Sequence, residues 1–240
     1  MSQATIRSLV RETAVYGVSG VLARSMGLLL LPVFSNFLPP EQFGHLSLTY
    51  VLAGLFQLLF VFGMGSSLVR YLIGAENKPL IFSTHFWPLF TVATCGSLAV
   101  CLGAGSMASV YFAESLPGDS QMIRLMAAIL WLDAVNILPY SLLRAEKRPF
   151  TYLAAILLSV SVYGGLVVYF LAFRSMDMTG VLLANAAGSG AVLLFFLPIL
   201  KKHIRPAFNP ELFRIYFAFG FPIIFSSMGK VLLDLAGRWI

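Results

Sequence analysis

Seven apolar runs, each near the length of a membrane-crossing helix, follow one another through this chain with short polar breaks between them. They lie at 13–38, 45–62, 81–103, 122–143, 150–173, 180–200 and 213–240. A helix of ~20 residues rises ~30 Å, the thickness of the hydrocarbon core of a bilayer. None of the runs alternates polar and apolar residues with the period of two that a membrane barrel strand requires. The pattern therefore predicts an all-α polytopic bundle of about seven transmembrane helices. Composition leaves no room for a sizeable soluble domain beside it: 59% of the 240 residues are hydrophobic and only 11% are charged, about half the charged share of a soluble domain. The stretch 63–73 is expected to continue the second span along the interface.

Charge divides the breaks into two sets. One set holds Arg7, Arg11, Arg70, Lys78, Arg144, Lys147, Arg148, Lys201, Lys202, Arg205 and Arg214; the other holds Arg174, with Arg124 at a helix edge, beside Glu41, Glu114, Asp119 and Asp177. The positive-inside rule places the first set, and the N-terminus with it, in the cytoplasm. Short basic loops facing anionic lipid account for the net charge of +6 without a nucleic-acid partner. The first apolar run is too long for a secretory signal and carries no A-x-A cleavage site, so it is read as the first span. Cys95 and Cys101 share one predicted helix at ~9 Å of rise, too far apart for a disulfide. His45, His85 and His203 are scattered, and no metal-ligand spacing results. No Walker A motif and no acid–base constellation is present, and the longest outer loop, 105–121, carries only Glu114 and Asp119. A carrier without cofactor is expected, not an enzyme.

The charges inside the spans are the functional clue, because each costs roughly 2.5–3.5 kcal/mol at a helix centre. Arg24, Asp133, Lys230 and Asp234 stand out. Arg24 lies ~16 Å into the first span, too deep to snorkel easily. Asp133 sits at matching depth in the fourth, with Asn136 one turn on and Pro139 beyond. Two readings stay open: Arg24 and Asp133 staple the bundle as a pair, or Arg24 is free for an anionic substrate. Lys230, Asp234 and Arg238 recur every fourth residue on one helix face, where they can pair among themselves. Gly17, Gly20, Gly27, Gly164, Gly165, Gly188 and Gly190 are assigned to close helix packing. Pro32 and Pro222 are placed to bend the first and seventh helices.

Four segments carry a family resemblance. LLPVFSNFLPPEQFGHLSL, from Leu30 to Leu48, resembles the junction of the first two helices in the polysaccharide-transporter (O-antigen flippase) branch of the multidrug, oligosaccharidyl-lipid and polysaccharide exporter superfamily. GMGSSLVRYL from Gly63, LLRAEKRPFTYL from Leu142 and GFPIIFSS from Gly220 are similar to later segments of that family in the same order. The resemblance implies a two-lobed bacterial inner-membrane flippase that moves an oligosaccharide linked to polyprenyl pyrophosphate by alternating access. It implies that Arg24, and Lys230 from the other lobe, face the pyrophosphate; the intramembrane Asp133, Asn136 and Asp234 are the candidate charge partners or coupling groups. Membrane lipid, a glycan polymerase and other polysaccharide assembly proteins are the implied partners. The family often shows an Asp-Arg pair late in the seventh helix; here Gly237 precedes Arg238, and Asp234 lies one turn earlier. The family is also roughly twice as long, so residues 1–205 are expected to form a six-helix N-terminal lobe. Residues 206–240 are expected to form a linker and the first helix of a second lobe that is otherwise missing. A multidrug or small-metabolite exporter of the same superfamily, and a non-transporting assembly subunit from a truncated gene, are the alternatives.

The predicted orientation has a direct readout. Single cysteines introduced as Lys147→Cys and Arg174→Cys are expected to react with a membrane-impermeant maleimide from the cytoplasmic and the external face respectively.

Overall fold

The computed structural model describes residues 3–112, 116 and 118–236; the side chains of 3–13, 24, 227–228 and 230–236 lie outside the description, as does everything at 237–240. The described residues form nine α-helices: α1 (Gln3–Phe37), α2 (Pro40–Val61), α3 (Met64–Leu72), α4 (Lys78–Leu102), α5 (Ala104–Tyr111), α6 (Asp119–Ala145), α7 (Pro149–Val168), α8 (Met178–His203) and α9 (Pro210–Ala236). Six of them, α1, α2, α4, α6, α8 and α7 with its π-helical last turn (Tyr169–Phe173), are long and apolar enough to cross a membrane. Helix α9, 27 residues long, stands where the seventh span is expected.

Local chemistry explains the breaks. Pro40, Pro79 and Pro149 sit in first turns, where the missing N–H costs nothing. The Asn77 side chain accepts from Leu80 N, and that of Asp177 from Thr179 N. Asn209 Oδ1 accepts from Glu211 N at 3.0 Å and Leu212 N at 3.1 Å, opening α9. Between α2 and α3 the chain turns left-handed at Phe62 (φ 34°) and Gly63 (φ 74°).

Helix α6 is the axis of the bundle. Of its spanning stretch 61% is buried, against 17% for α2 and α7. Its apolar side chains face two cores. Ile123, Met126, Leu130, Leu138 and Leu142 join Met64, Leu68, Leu72, Phe82 and Leu89 from α3 and α4. Met122 and Ile129 join Leu30, Phe34 and Leu46 from α1 and α2 with Val181 and Leu182 from α8. In lipid such contacts hold by van der Waals fit, not by exclusion of water.

The two ends of the bundle are built differently. At the basic end Glu146, between α6 and α7, meets Arg148 at 3.2 Å, Lys78 at 3.8 Å and His203 at 3.9 Å. There the linker to α9 is strapped to α4: Ser83 Oγ accepts from Arg205 N at 2.7 Å, and Trp87 Nε1 donates to Arg205 O at 2.9 Å. At the opposite end His45 Nδ1 lies 3.0 Å from Asp119 Oδ1, with its ring stacked on Phe112.

Three expectations from the sequence are corrected. Residues 63–73 do not skirt the interface: α3 is a half-length helix with Met64, Ser67, Leu68 and Leu72 buried, packed against α4, α6 and α9. The outer segment 105–121 is not simply a loop, because α5 folds back onto α6 and Tyr111 Oη donates to Leu48 O at 3.1 Å. Nor do Gly17, Gly20, Gly27, Gly165 and Gly190 serve close approach, since a Cβ at any of them would meet nothing within 4 Å. Gly164 lies against Met26 and Gly188 against Tyr163, as expected. A close backbone approach lies elsewhere, between Gly63 and Gly220, where a Cβ on Gly63 would strike the Gly220 carbonyl. It lets α9 dock on the α2–α3 break. Beside it Ser67 Oγ donates to Tyr216 O at 3.1 Å and the His85 ring stacks on Tyr216 at 4.3 Å.

Gly63→Ala combines that collision with a positive φ and is expected to cost about 1–3 kcal/mol of stability. Gly20→Ala, in open space on α1, is expected to change it by under ~0.5 kcal/mol. Thermal unfolding in detergent compares the two.

Candidate functional site

Four helices turn polar faces toward one interior region. Tyr50 and Gln57 on α2 are two helical turns apart; Asp133, Asn136 and Tyr140 on α6 follow at three and seven; Ser159 with Tyr163 on α7, and Asn185 with Ser189 on α8, are each spaced by four. Such spacings put each set on one face of its helix. The convergence leaves space. A cavity of about 200 Å³ is lined by Tyr50, Gln57, Asp133 and Asn185, among others, and one of about 220 Å³ by Gln57, Asp133, Asn136, Tyr140, Ser159 and Ser189. A third, of about 330 Å³, runs from Gly54 and Gln57 past Gly63 and Ser66 to Arg144, and is walled by Ile223 and Ile224 of α9. Gln57 borders all three.

The polar groups are tied in two chains. Ser189 Oγ donates to Asp133 Oδ1 at 2.6 Å, and Asn136 Nδ2 donates to the Ser189 carbonyl at 2.9 Å, so α8 is fastened to α6 twice within one turn. Asn185 Nδ2 donates to Tyr50 Oη at 3.2 Å, and that hydroxyl lies 3.4 Å from Tyr163 Oη. Two buried oxygens, Asn136 Oδ1 and Gln57 Oε1, have no hydrogen-bond partner among the described residues. A carboxylate beside two unpaired amide oxygens is a donor set made wholly of oxygen, suited to a proton, a hard cation or a hydroxyl-rich ligand.

Asp133 and Asn136 are thus brought together, with Ser189 as their common partner. Among the described residues no cation pairs with Asp133. Arg24 lies on α1, and Lys230 and Asp234 on α9, but their side chains fall outside the description, as do Arg238 and Trp239 altogether. Tyr50, Gln57, Tyr163, Asn185 and Ser189 escaped the reading of intramembrane charge because neutral polar groups stand out little in an apolar run. Their spacing by four and seven on helices facing α6 was the available signal. Arg144 was counted with the basic end, yet it lines the third cavity and donates to Ser141 Oγ at 3.2 Å.

With this geometry in view, comparison with known proteins is informative. The model of the family described as "Polysaccharide biosynthesis protein" matches residues 9–238. The fold is similar to that of a MATE solved in complex with MaD3S, with a TM-score of 0.73 at 16% identity, over 92% of this chain and 53% of that one. It is also similar to a multidrug resistance MATE family transporter of the MOP superfamily in an outward-facing conformation (TM-score 0.69, 16% identity, 90% and 53% covered). A third similar structure is a MOP superfamily transporter from Pyrococcus furiosus (TM-score 0.68, 15% identity, 90% and 53% covered). The chain spans about half the length of each of these structures. No curated protein sequence matches it significantly.

Ser189→Ala removes the hydroxyl that Asp133 accepts from and is expected to lower stability by about 1–2 kcal/mol. Ser189→Thr, which keeps a hydroxyl, is expected to recover most of the loss. Thermal unfolding in detergent measures both.

Proposed function

The chain belongs to the polysaccharide biosynthesis protein family, and from that premise we propose that it forms the first lobe of a membrane flippase. Its substrate is an oligosaccharide linked to polyprenyl pyrophosphate, carried across the bacterial inner membrane for surface polysaccharide synthesis by alternating access. The lining of these neighbouring cavities carries this reading. Hydroxyl and amide groups of Tyr50, Gln57, Asn136, Tyr140, Ser159 and Asn185 border them, and such groups donate and accept in the way sugar hydroxyls require. Arg144 adds a guanidinium toward the basic end, where it can fork onto phosphate oxygens. Arg24 on α1 and Lys230 on α9 are the proposed pyrophosphate contacts, one from each lobe.

Asp133 is the proposed coupling group, with Asn136 beside it and Asp234 on α9 as a further charge partner. The chain makes and breaks no covalent bond in this cycle and needs no cofactor. Helix α9 bears on the mechanism because Ile223 and Ile224 wall the third cavity. Movement of α9 against α2 and α3 would open or close that cavity. A glycan polymerase and other assembly proteins are the proposed neighbours.

Export of a drug or small metabolite is the second reading. It is favoured by the Asp133 carboxylate inside the cavity and by a fold shared with a multidrug resistance transporter. One experiment separates the two. With protein levels matched in cells, Arg24→Ala is expected to reduce export of lipid-linked glycan about tenfold or more, the loss of one charge-assisted contact, and to leave drug sensitivity unchanged. Intact glycan export with raised drug sensitivity would favour the second reading and return Arg24 to a structural role.

A further inference from the structure

A groove of about 430 Å³ lies between α4 and α6 and shares no residue with the polar cavities. Its walls are the last turns of α4, with Leu98 and Cys101, and the first half of α6, with Ala127, Ala128 and Leu132. It belongs to the half of the bundle away from the basic end, since α4 finishes there at Leu102 and α6 starts there at Asp119. Small side chains on α6 and exposed Leu98 make it an apolar slot open to the bilayer.

Three polar features interrupt the slot, and only one is internally satisfied. Trp131 Nε1 donates to Thr94 Oγ1 at 3.0 Å and closes the deep end. Ser97 lines the slot and is 8% exposed, and its Oγ, turned away from the surface, has no hydrogen-bond partner among the described residues. Arg124 lines its outer part, and no carboxylate among the described residues pairs with it. Arg124 stands about 7 Å along α6 from its start and Ser97 about 7 Å from the end of α4, and the arginine side chain is long enough to snorkel outward from there.

We propose that this groove binds an anionic phospholipid of the leaflet opposite the basic end. Arg124 stands toward the outer end of the slot, and Ala128 and Leu132 lie deeper along α6, as the phosphate and the acyl chain lie in such a lipid. The Arg124 guanidinium takes the phosphate, a phosphate oxygen accepting its N–H groups. One acyl chain then lies along Leu98, Ala128 and Leu132 as far as Trp131. Charge complementarity selects the occupant, because a zwitterionic headgroup brings its own cation close to Arg124 and an apolar partner helix would leave the guanidinium unpaired in the membrane. The bound lipid would wedge α4 against α6, the pair on which much of the larger core rests.

The test uses the protein reconstituted in nanodiscs of equimolar phosphatidylglycerol and phosphatidylethanolamine, released gently and weighed by native mass spectrometry. Phosphatidylglycerol is expected to be retained in preference to phosphatidylethanolamine. Arg124→Gln is expected to cut that preference about fivefold, the equivalent of ~1 kcal/mol for one interfacial cation, and Arg124→Lys to keep most of it. Ala128→Trp, which fills the slot from an exposed position, is expected to abolish retention while the protein still unfolds cooperatively in lipid-free detergent. Equal retention of the two lipids would overturn the proposal. So would an Arg124→Gln protein that retains phosphatidylglycerol as before, or an Ala128→Trp change that dissociates a dimer without altering bound lipid.

Discussion

A helix enclosed by other helices in a bilayer has no water for its polar side chains, and α6 is in that position with Asp133 and Asn136 near its middle. Their partners have to come from protein. Ser189 meets both, one through its hydroxyl and one through its carbonyl, and this double contact sets the rotation of α8 about its own axis. With α8 so placed, Asn185, one turn earlier, falls opposite Tyr50, and Tyr163 on α7 closes the second chain of contacts. The cavities follow, because helices held apart by polar side chains do not fill the space between them as leucines would. The oxygens left over, on Asn136 and Gln57, make that space receptive to a ligand.

The seating of α9 on the bundle depends on a different kind of contact. The left-handed turn at Phe62 and Gly63 ends α2 early and tips α3 inward, and the backbone of α9 comes to rest against that turn at Gly220. Tyr216, Ser67 and His85 secure the same joint, while Ser83 and Trp87 hold the linker. Glu146 gathers Lys78, Arg148 and His203 at that end, so the termini of α4, α6, α7 and α8 are tied through one carboxylate.

The intramembrane acid was legible in the sequence because its insertion cost makes Asp133 conspicuous, and Asn136 came with it by helical spacing. The hydroxyls and amides that share the cavity were not. Each is inexpensive alone, and only the mutual rotation of four helices shows that they face one another. The cavity-lining place of Arg144 was hidden for a related reason: a cation near a helix end satisfies the loop-charge rule whether it faces lipid headgroups or a cavity. The glycines show the converse error. Gly17, Gly20 and Gly27 have the composition of a packing face, but their side of α1 meets no neighbour, while the contact that needs glycine pairs residues far apart in the chain.

Sequence alone determined the solvent, the long apolar helices and the grouping of loops into two ends. These depend on the free energy of transferring each segment into hydrocarbon, a sum over local residues. Tertiary structure decided which polar side chains share a cavity, where α3 lies, which glycines are in contact and which residues of α4 and α6 line a common groove. Those properties depend on helix rotation and tilt, set by side-chain fit between segments distant in the chain. Hydrophobicity cannot encode them, because in a bilayer every face of an apolar helix is equally at home.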